Sequence, residues 1–206
     1  DLDYVTVTPG SGVVAYYAET STPFVTKTVW EDAGMVNVLK AADMDDDVDV
    51  DVLVSTNDDD FILYENLGMG HWMDHLLVTG QPITDFFLMD WDDDGAMDIL
   101  GTDTSVNEVV FWQQIDTLVF DRIVLATIPS PQFIDDGDFN NDGLMDLSLA
   151  TEDGFIWYEQ VDALTLTPHI IAQYEVVTIT MLKAGDFNGD GFTDLMSSRA
   201  NGPSTF

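Results

Sequence analysis

Along the chain, apolar residues fall in short runs of four to eight, each bounded by Gly, Asp, Asn, Ser or Pro. The runs are rich in Val, Ile, Leu, Thr and aromatics, which suit a pleated, partly buried surface. No window shows the period of about 3.6 residues that a helix face requires, so little or no helix is expected. Strands are expected at Asp146 to Ala150, Phe155 to Glu159, Leu166 to Ala172, Val176 to Ala184 and Thr193 to Ser198. The turn signal Glu152-Asp153-Gly154 separates the first two.

The polar punctuation repeats. Four nine-residue segments align: 43–51, 90–98, 138–146 and 186–194. Their last aspartates, Asp51, Asp98, Asp146 and Asp194, are 47, 48 and 48 residues apart. Asp3 lies 48 residues before Asp51 and reads as the tail of a further loop. An aromatic keeps the same phase at Tyr17, Tyr64, Trp112 and Tyr158, and a basic or titratable residue at Lys27, His75, Arg122 and His169. Each period holds about four short antiparallel strands, the content of one β-propeller blade. The expected fold is therefore all-β: propeller blades of four antiparallel strands in about four repeats of 47–48 residues, residues 1–206 forming one propeller or a segment of a larger one. A post-loop strand at both Asp3 and Thr193 favours the segment; a closed four-blade ring is the alternative.

Composition adds a constraint. With 39 acidic residues against 5 Lys and Arg, the formal net charge is −34, while 46% hydrophobic content still permits a core. Such a polyanion disfavours nucleic acid, whose phosphates are held by Lys and Arg, and disfavours an anionic membrane surface. No apolar run is long enough to span a bilayer, no signal peptide is evident, and the start at Asp1 reads as an excision from a longer chain. There is no cysteine, so neither disulfides nor thiolate chemistry is available. Cations are the favoured small partners.

The loops are suited to one of them. Calcium takes about six to eight oxygen ligands at roughly 2.3–2.6 Å. Positions one, three, five and nine supply Asp43, Asp45, Asp47 and Asp51; Asp90, Asp92, Asp94 and Asp98; Asp138, Asn140, Asp142 and Asp146; and Asp186, Asn188, Asp190 and Asp194. Position seven offers the backbone carbonyl of Asp49, Ala96, Leu144 or Phe192, and position six is Gly except at Val48. About four Ca²⁺ ions are expected. Magnesium prefers fewer protein ligands and retained waters, and zinc and copper want the His or Cys that these loops lack. The side-chain ligands include fourteen carboxylates, so calcium is expected to be part of the fold. Each site would add about 2.7 kcal/mol when calcium stands a hundredfold above its dissociation constant. Loop one combines a strained turn at Val48 with four carboxylates, which act in opposite directions.

The loops, followed by Asp51-Val-Leu-Val-Ser55 and then Ile62-Leu-Tyr-Glu-Asn-Leu-Gly68, resemble the FG-GAP/VCBS repeat family, whose blades are similar to the calcium-binding blades of integrin α-subunits. The Phe-Gly…Gly-Ala-Pro signature is absent, so the likeness is to the VCBS branch. The resemblance implies an extracellular adhesion, ligand-binding or assembly module, sometimes a lectin, sometimes a non-catalytic domain beside an enzyme. It also implies metal-ligand roles for the loop residues above.

Three readings of function follow. One is a non-enzymatic extracellular propeller, secreted or at the cell surface, binding a protein or glycan ligand or assembling with itself. The second is a calcium-dependent lectin; the third is an accessory domain of a secreted enzyme. No catalytic residue is assigned, because no hydrolase, metalloprotease or phosphate-loop motif occurs and nothing catalytic interrupts the repeat. The in-phase aromatics are expected to pack between blades, with a row of sugar platforms as the alternative. The in-phase cations are expected on outer strands, pairing with carboxylates or blunting an edge.

Overall fold

The computed structural model describes residues 4–8, 13–18, 25–30, 35–173 and 178–200. Asp3 lies outside them, as do the side chains of Tyr17 and Lys27. The described residues are strands and turns, with no helix among them.

Strands β1 (Tyr4–Thr8), β2 (Val13–Ala18) and β3 (Val25–Trp30) form a three-stranded sheet. Three four-stranded sheets follow. They are β4 (Val36–Ala42), β5 (Asp51–Thr56), β6 (Phe61–Asn66) and β7 (Trp72–Val78); β8 (Ile83–Met89), β9 (Asp98–Asp103), β10 (Glu108–Asp116) and β11 (Val119–Thr127); and β12 (Pro131–Gly137), β13 (Asp146–Thr151), β14 (Gly154–Asp162) and β15 (Thr165–Gln173). A pair, β16 (Ile179–Gly185) and β17 (Asp194–Arg199), completes the described set. In each four-stranded sheet the strands neighbour one another in chain order. The expected strands are therefore present, displaced by a residue or two at their ends, with 176–177 outside the described residues. Four-stranded antiparallel sheets repeated in this way are the content of propeller blades.

The strand following each loop is the most protected. All six residues of β5, β9 and β13 are buried. A strand covered on both faces loses its polar alternation, which is why Val52-Leu53-Val54 and Ile99-Leu100 read as continuous apolar sequence. The outer strands β7, β11 and β15 contain no buried residue.

The chain divides into two compact units, Asp1–Ile83 with Gln114–Phe120, and Thr84–Gln113 with Asp121–Phe206. In the first, Val52, Val54 and Tyr64 form a core with Val29, against which Val5, Val36 and Leu39 pack. In the second, Phe87, Leu100, Val109 and Phe111 meet Ile134, Leu147, Leu149 and Tyr158. Ala150 and Phe155 meet Ile179 and Leu182 in a further cluster. Tyr64, Trp112 and Tyr158 are buried to 0%, 2% and 8% exposure, so these in-phase aromatics serve the core and not a row of sugar platforms. The outer-strand cations also behave as expected. His75 on β7 pairs with Glu65 at 2.7 Å, His169 on β15 with Glu159 at 2.9 Å, and Arg122 on β11 with Glu108 at 2.8 Å and Asp103 at 3.2 Å.

Candidate metal centre

Each acidic loop joins the first strand of a sheet to the second, and its hydrogen bonds recur residue for residue. The position-one carboxylate caps the turn: Asp43 accepts from the backbone N–H of Asp47 at 3.2 Å and of Val48 at 2.9 Å. Asp90, Asp138 and Asp186 accept from the matching N–H groups of Asp94 and Gly95, Asp142 and Gly143, and Asp190 and Gly191. The position-five carboxylate accepts from the position-seven N–H, with Asp47, Asp94, Asp142 and Asp190 holding Asp49, Ala96, Leu144 and Phe192 at 2.8–2.9 Å. Position six carries a positive φ in every loop: 93° at Gly95 and Gly143, 87° at Gly191 and 77° at Val48. Glycine adopts this region at no steric cost, whereas a β-branched residue is strained there.

Position four also has positive φ, at Asp46, Asp93, Asn141 and Gly189. The sequence reading overlooked this second turning point. Its signal was available, because Asp, Asn and Gly are the residues that enter the left-handed region most readily.

Position nine fastens the loop to the sheet. Asp51 accepts from Met44 N–H at 2.8 Å through Oδ2 and from Asn66 N–H at 2.8 Å through Oδ1. Asp146 does the same with Phe139 and Gln160. Asp98 accepts from Trp91, and Asp194 from Phe187. Asp51, Asp98 and Asp146 are wholly buried. Burial pushes Asp51 up to about 6, reinforced by the charges of Asp45 and Asp47 and opposed by the two backbone donors. Burial raises Asp45 as well, with the charges of Asp47, Glu65 and Asp43 adding to it. Asp146 is raised by burial too. Asp186, on the exposed fourth loop, is lowered by backbone N–H donors, that of Gly191 foremost.

Two of these loops gather acids tightly enough to hold an ion. Carboxylate oxygens of Asp43, Asp45 and Asp51 lie within 4.8 Å of one another, as do those of Asp90, Asp92 and Asp98. Position five, Asp47 or Asp94, is outside each group, its carboxylate being engaged by the turn. Among the described residues the third and fourth loops form no such group of acids; their position three is Asn140 or Asn188. In the first two loops, Asp45 Oδ1 and Asp92 Oδ1 are buried without a hydrogen-bond partner. An unpartnered buried carboxylate oxygen is costly unless a cation or donor meets it. A donor set of carboxylate and amide oxygens, with no His or Cys, fits a hard cation.

The sequence reading missed a residue on the third strand. Register places Glu65, Gln113 and Glu159 just after Tyr64, Trp112 and Tyr158, which pair with Val52, Ile99 and Leu147. Gln113 Nε2 donates to Asp92 Oδ2 at 2.5 Å, and Asn140 Nδ2 donates to Glu159 Oε1 at 3.3 Å. Adjacent glutamines brace an earlier loop. In the first unit Gln114 Nε2 donates to Met44 O at 3.0 Å; in the second, Gln160 Nε2 donates to Trp91 O at 3.2 Å.

These features define a class: blade-like four-stranded sheets whose first turns are acidic, oxygen-lined loops. Residues 138–197 match the model of the FG-GAP-like repeat, the family read from the loops. No curated protein matches the chain in sequence. Among solved structures, the fold is similar to that of an Agrocybe aegerita lectin described as recognising non-reducing terminal N-acetylglucosamine. The TM-score is 0.64 and the identity 14%, and the match covers 95% of this chain and 60% of the lectin chain. The chain thus spans less than two thirds of the structure it resembles.

Proposed function

We propose that this chain is a non-enzymatic, calcium-held propeller module that binds a protein partner outside the cell. The observation that carries the metal is the pair of buried, partnerless oxygens on Asp45 and Asp92, each inside a group of three acids. Loop one would hold its ion through Asp43, Asp45, Asp47, Asp51 and the Asp49 carbonyl, and loop two through Asp90, Asp92, Asp94, Asp98 and the Ala96 carbonyl. Loops three and four would use Asp138, Asn140, Asp142, Asp146 and Leu144, and Asp186, Asn188, Asp190, Asp194 and Phe192. About four ions follow. Bound calcium supplies positive charge that offsets part of the −34 and fixes the loops. Loops of modest affinity fill where calcium is plentiful, which supports an extracellular setting.

A protein ligand is supported by what surrounds the loops. The hairpin between third and fourth strands has its turn at the loop end of each four-stranded sheet, and the turn and adjoining strand ends carry exposed apolar side chains. In the first unit these are Leu67, Met69, Ile115 and Val119, and Val48 in the first loop is exposed as well. In the second they are Val161 and Leu164, with Phe187 and Phe192 in the fourth loop. Exposed apolar groups that gather into a contiguous patch mark an interaction surface, and the loop ends are where these groups recur.

A glycan ligand is the second reading, favoured by the likeness to the Agrocybe aegerita lectin. One screen separates the two: immobilised chain against extracellular proteins and against a glycan array, in millimolar Ca²⁺ and after metal removal. Calcium-dependent capture of a protein supports the first reading, and of sugars the second. Binding indifferent to calcium contradicts both.

A further inference from the structure

The third-strand residues Glu65, Gln113 and Glu159 occupy one register position, and each faces position three of the loop in its own sheet. In the second repeat the pair is acid and amide, Asp92 with Gln113 at 2.5 Å. In the third the order is reversed, Asn140 with Glu159 at 3.3 Å. An amide N–H donates to a carboxylate, so either order makes one direct hydrogen bond and carries a single negative charge. The contact also orients Asn140. Its Nδ2 is held by Glu159 and by Asp142 Oδ2 at 2.8 Å, which turns the carbonyl Oδ1 to the N–H of Asp142 at 2.9 Å.

The first repeat breaks the rule. There the pair is Asp45 and Glu65, two acids that can only accept when ionised. Glu65 Oε2 is engaged by His75 Nε2 at 2.7 Å on the outer strand. That leaves no donor between the two acids: Asp45 Oδ1 is buried without a partner, as Asp92 Oδ1 is, but Asp45 also lacks the amide that Gln113 gives Asp92. Glu65 stands close enough for its charge to act on Asp45. A cation between the two carboxylates removes the conflict.

We propose that in the first three repeats the third-strand residue belongs to the cation site and sets its charge, and that Glu65 supplies a fifth carboxylate to the ion in loop one. Loop one is then the tightest calcium site of the chain, in spite of Val48. In repeat two Gln113 orients Asp92 and adds no charge, and in repeat three Glu159 orients Asn140 and supplies the charge that the amide lacks. This rests on the calcium reading of the loops.

The test is calorimetric titration of the metal-stripped full chain with Ca²⁺, beside melting curves with and without Ca²⁺, for the wild type, Glu65→Gln and Gln113→Glu. Glu65→Gln is expected to weaken the tightest site about tenfold, since affinity follows the charge count of the shell, and to raise the melting temperature of the stripped protein. Gln113→Glu is expected to do the reverse: a site about tenfold tighter and a less stable stripped protein. It carries the test should Glu65→Gln fail to fold. A wild type that binds calcium while both variants bind it equally well, their melts shifting alike with and without the ion, assigns these residues a structural role only and overturns the proposal. A wild type that takes up no calcium overturns the loop reading itself, and the proposal with it.

Discussion

Val48 should be a correctable defect. Its N–H must reach Asp43 Oδ2, a 2.9 Å bond matched at the same place in every other loop, and the bond forces φ to 77°. A left-handed backbone costs an ordinary residue about 1–2 kcal/mol, and branching at Cβ worsens it. The side chain recovers little in packing, because it is 85% exposed. Val48→Gly removes the strain but adds about 0.5–1 kcal/mol of unfolded-chain entropy. The net expectation is a gain of about 1 kcal/mol, or roughly 2–4 °C in Tm for a chain of this size. The mirror experiment is Gly143→Ala. A Cβ there meets nothing within 4 Å, so backbone strain alone acts, at φ 93°, and a loss of about 1 kcal/mol is expected. Thermal unfolding followed by tryptophan fluorescence reads both, in stripped and calcium-loaded protein. A Val48→Gly variant whose midpoint is unchanged or lower, with Gly143→Ala neutral, refutes the strain argument.

Gly154→Ala should be severe, because the added Cβ falls 2.0 Å from Ala172 O on the paired strand β15, at φ 145°; a loss of about 3 kcal/mol or more is expected in denaturant titration. Gln160→Ala should strip the carbonyl of Trp91 of its side-chain donor and cost about 1–3 kcal/mol, read in the same titration. Stability should respond to acid with opposite sign in the two metal states. Burial lifts Asp51 from 3.8 to about 6 in the folded, metal-free chain, so the folded state binds the proton more tightly than the unfolded one. Stripped protein should therefore gain stability as pH falls from 7 through 6 toward 4, and lose it again on the return. Calcium-loaded protein should lose stability over the same range, because protons compete for the ligands. Melting curves at pH 7 and pH 5 check both signs.

Much of this was legible because the loops are local. Nine consecutive residues contain their own turns, so the glycine at position six and the anchoring Asp at position nine could be read from spacing alone, whereas the capping by position one shows only in the hydrogen bonds. The buried strands were legible for a different reason: Asp51-Val-Leu-Val-Ser55 loses its polar alternation only when both faces are covered. The expectation that Tyr64, Trp112 and Tyr158 belong to the core held because a shared phase places each beside the buried second strand of its own sheet. What escaped was non-local. Glu65, Gln113 and Glu159 lie 19 to 21 residues from the loop residues they face, and only strand register brings them there. The brace from Gln160 to Trp91 spans 69 residues. Position four escaped although it was local, because Asp46 and Asp93 look like further ligands when their role is to turn the chain.

The central claim is that the acidic loops hold calcium, and calorimetric titration of the stripped chain with Ca²⁺ and separately with Mg²⁺ tests it most directly. The account predicts a stoichiometry near four for calcium, with magnesium binding far more weakly and a melting temperature that rises as the calcium sites fill. A flat calcium titration, or one that magnesium reproduces in affinity and stoichiometry, would contradict it.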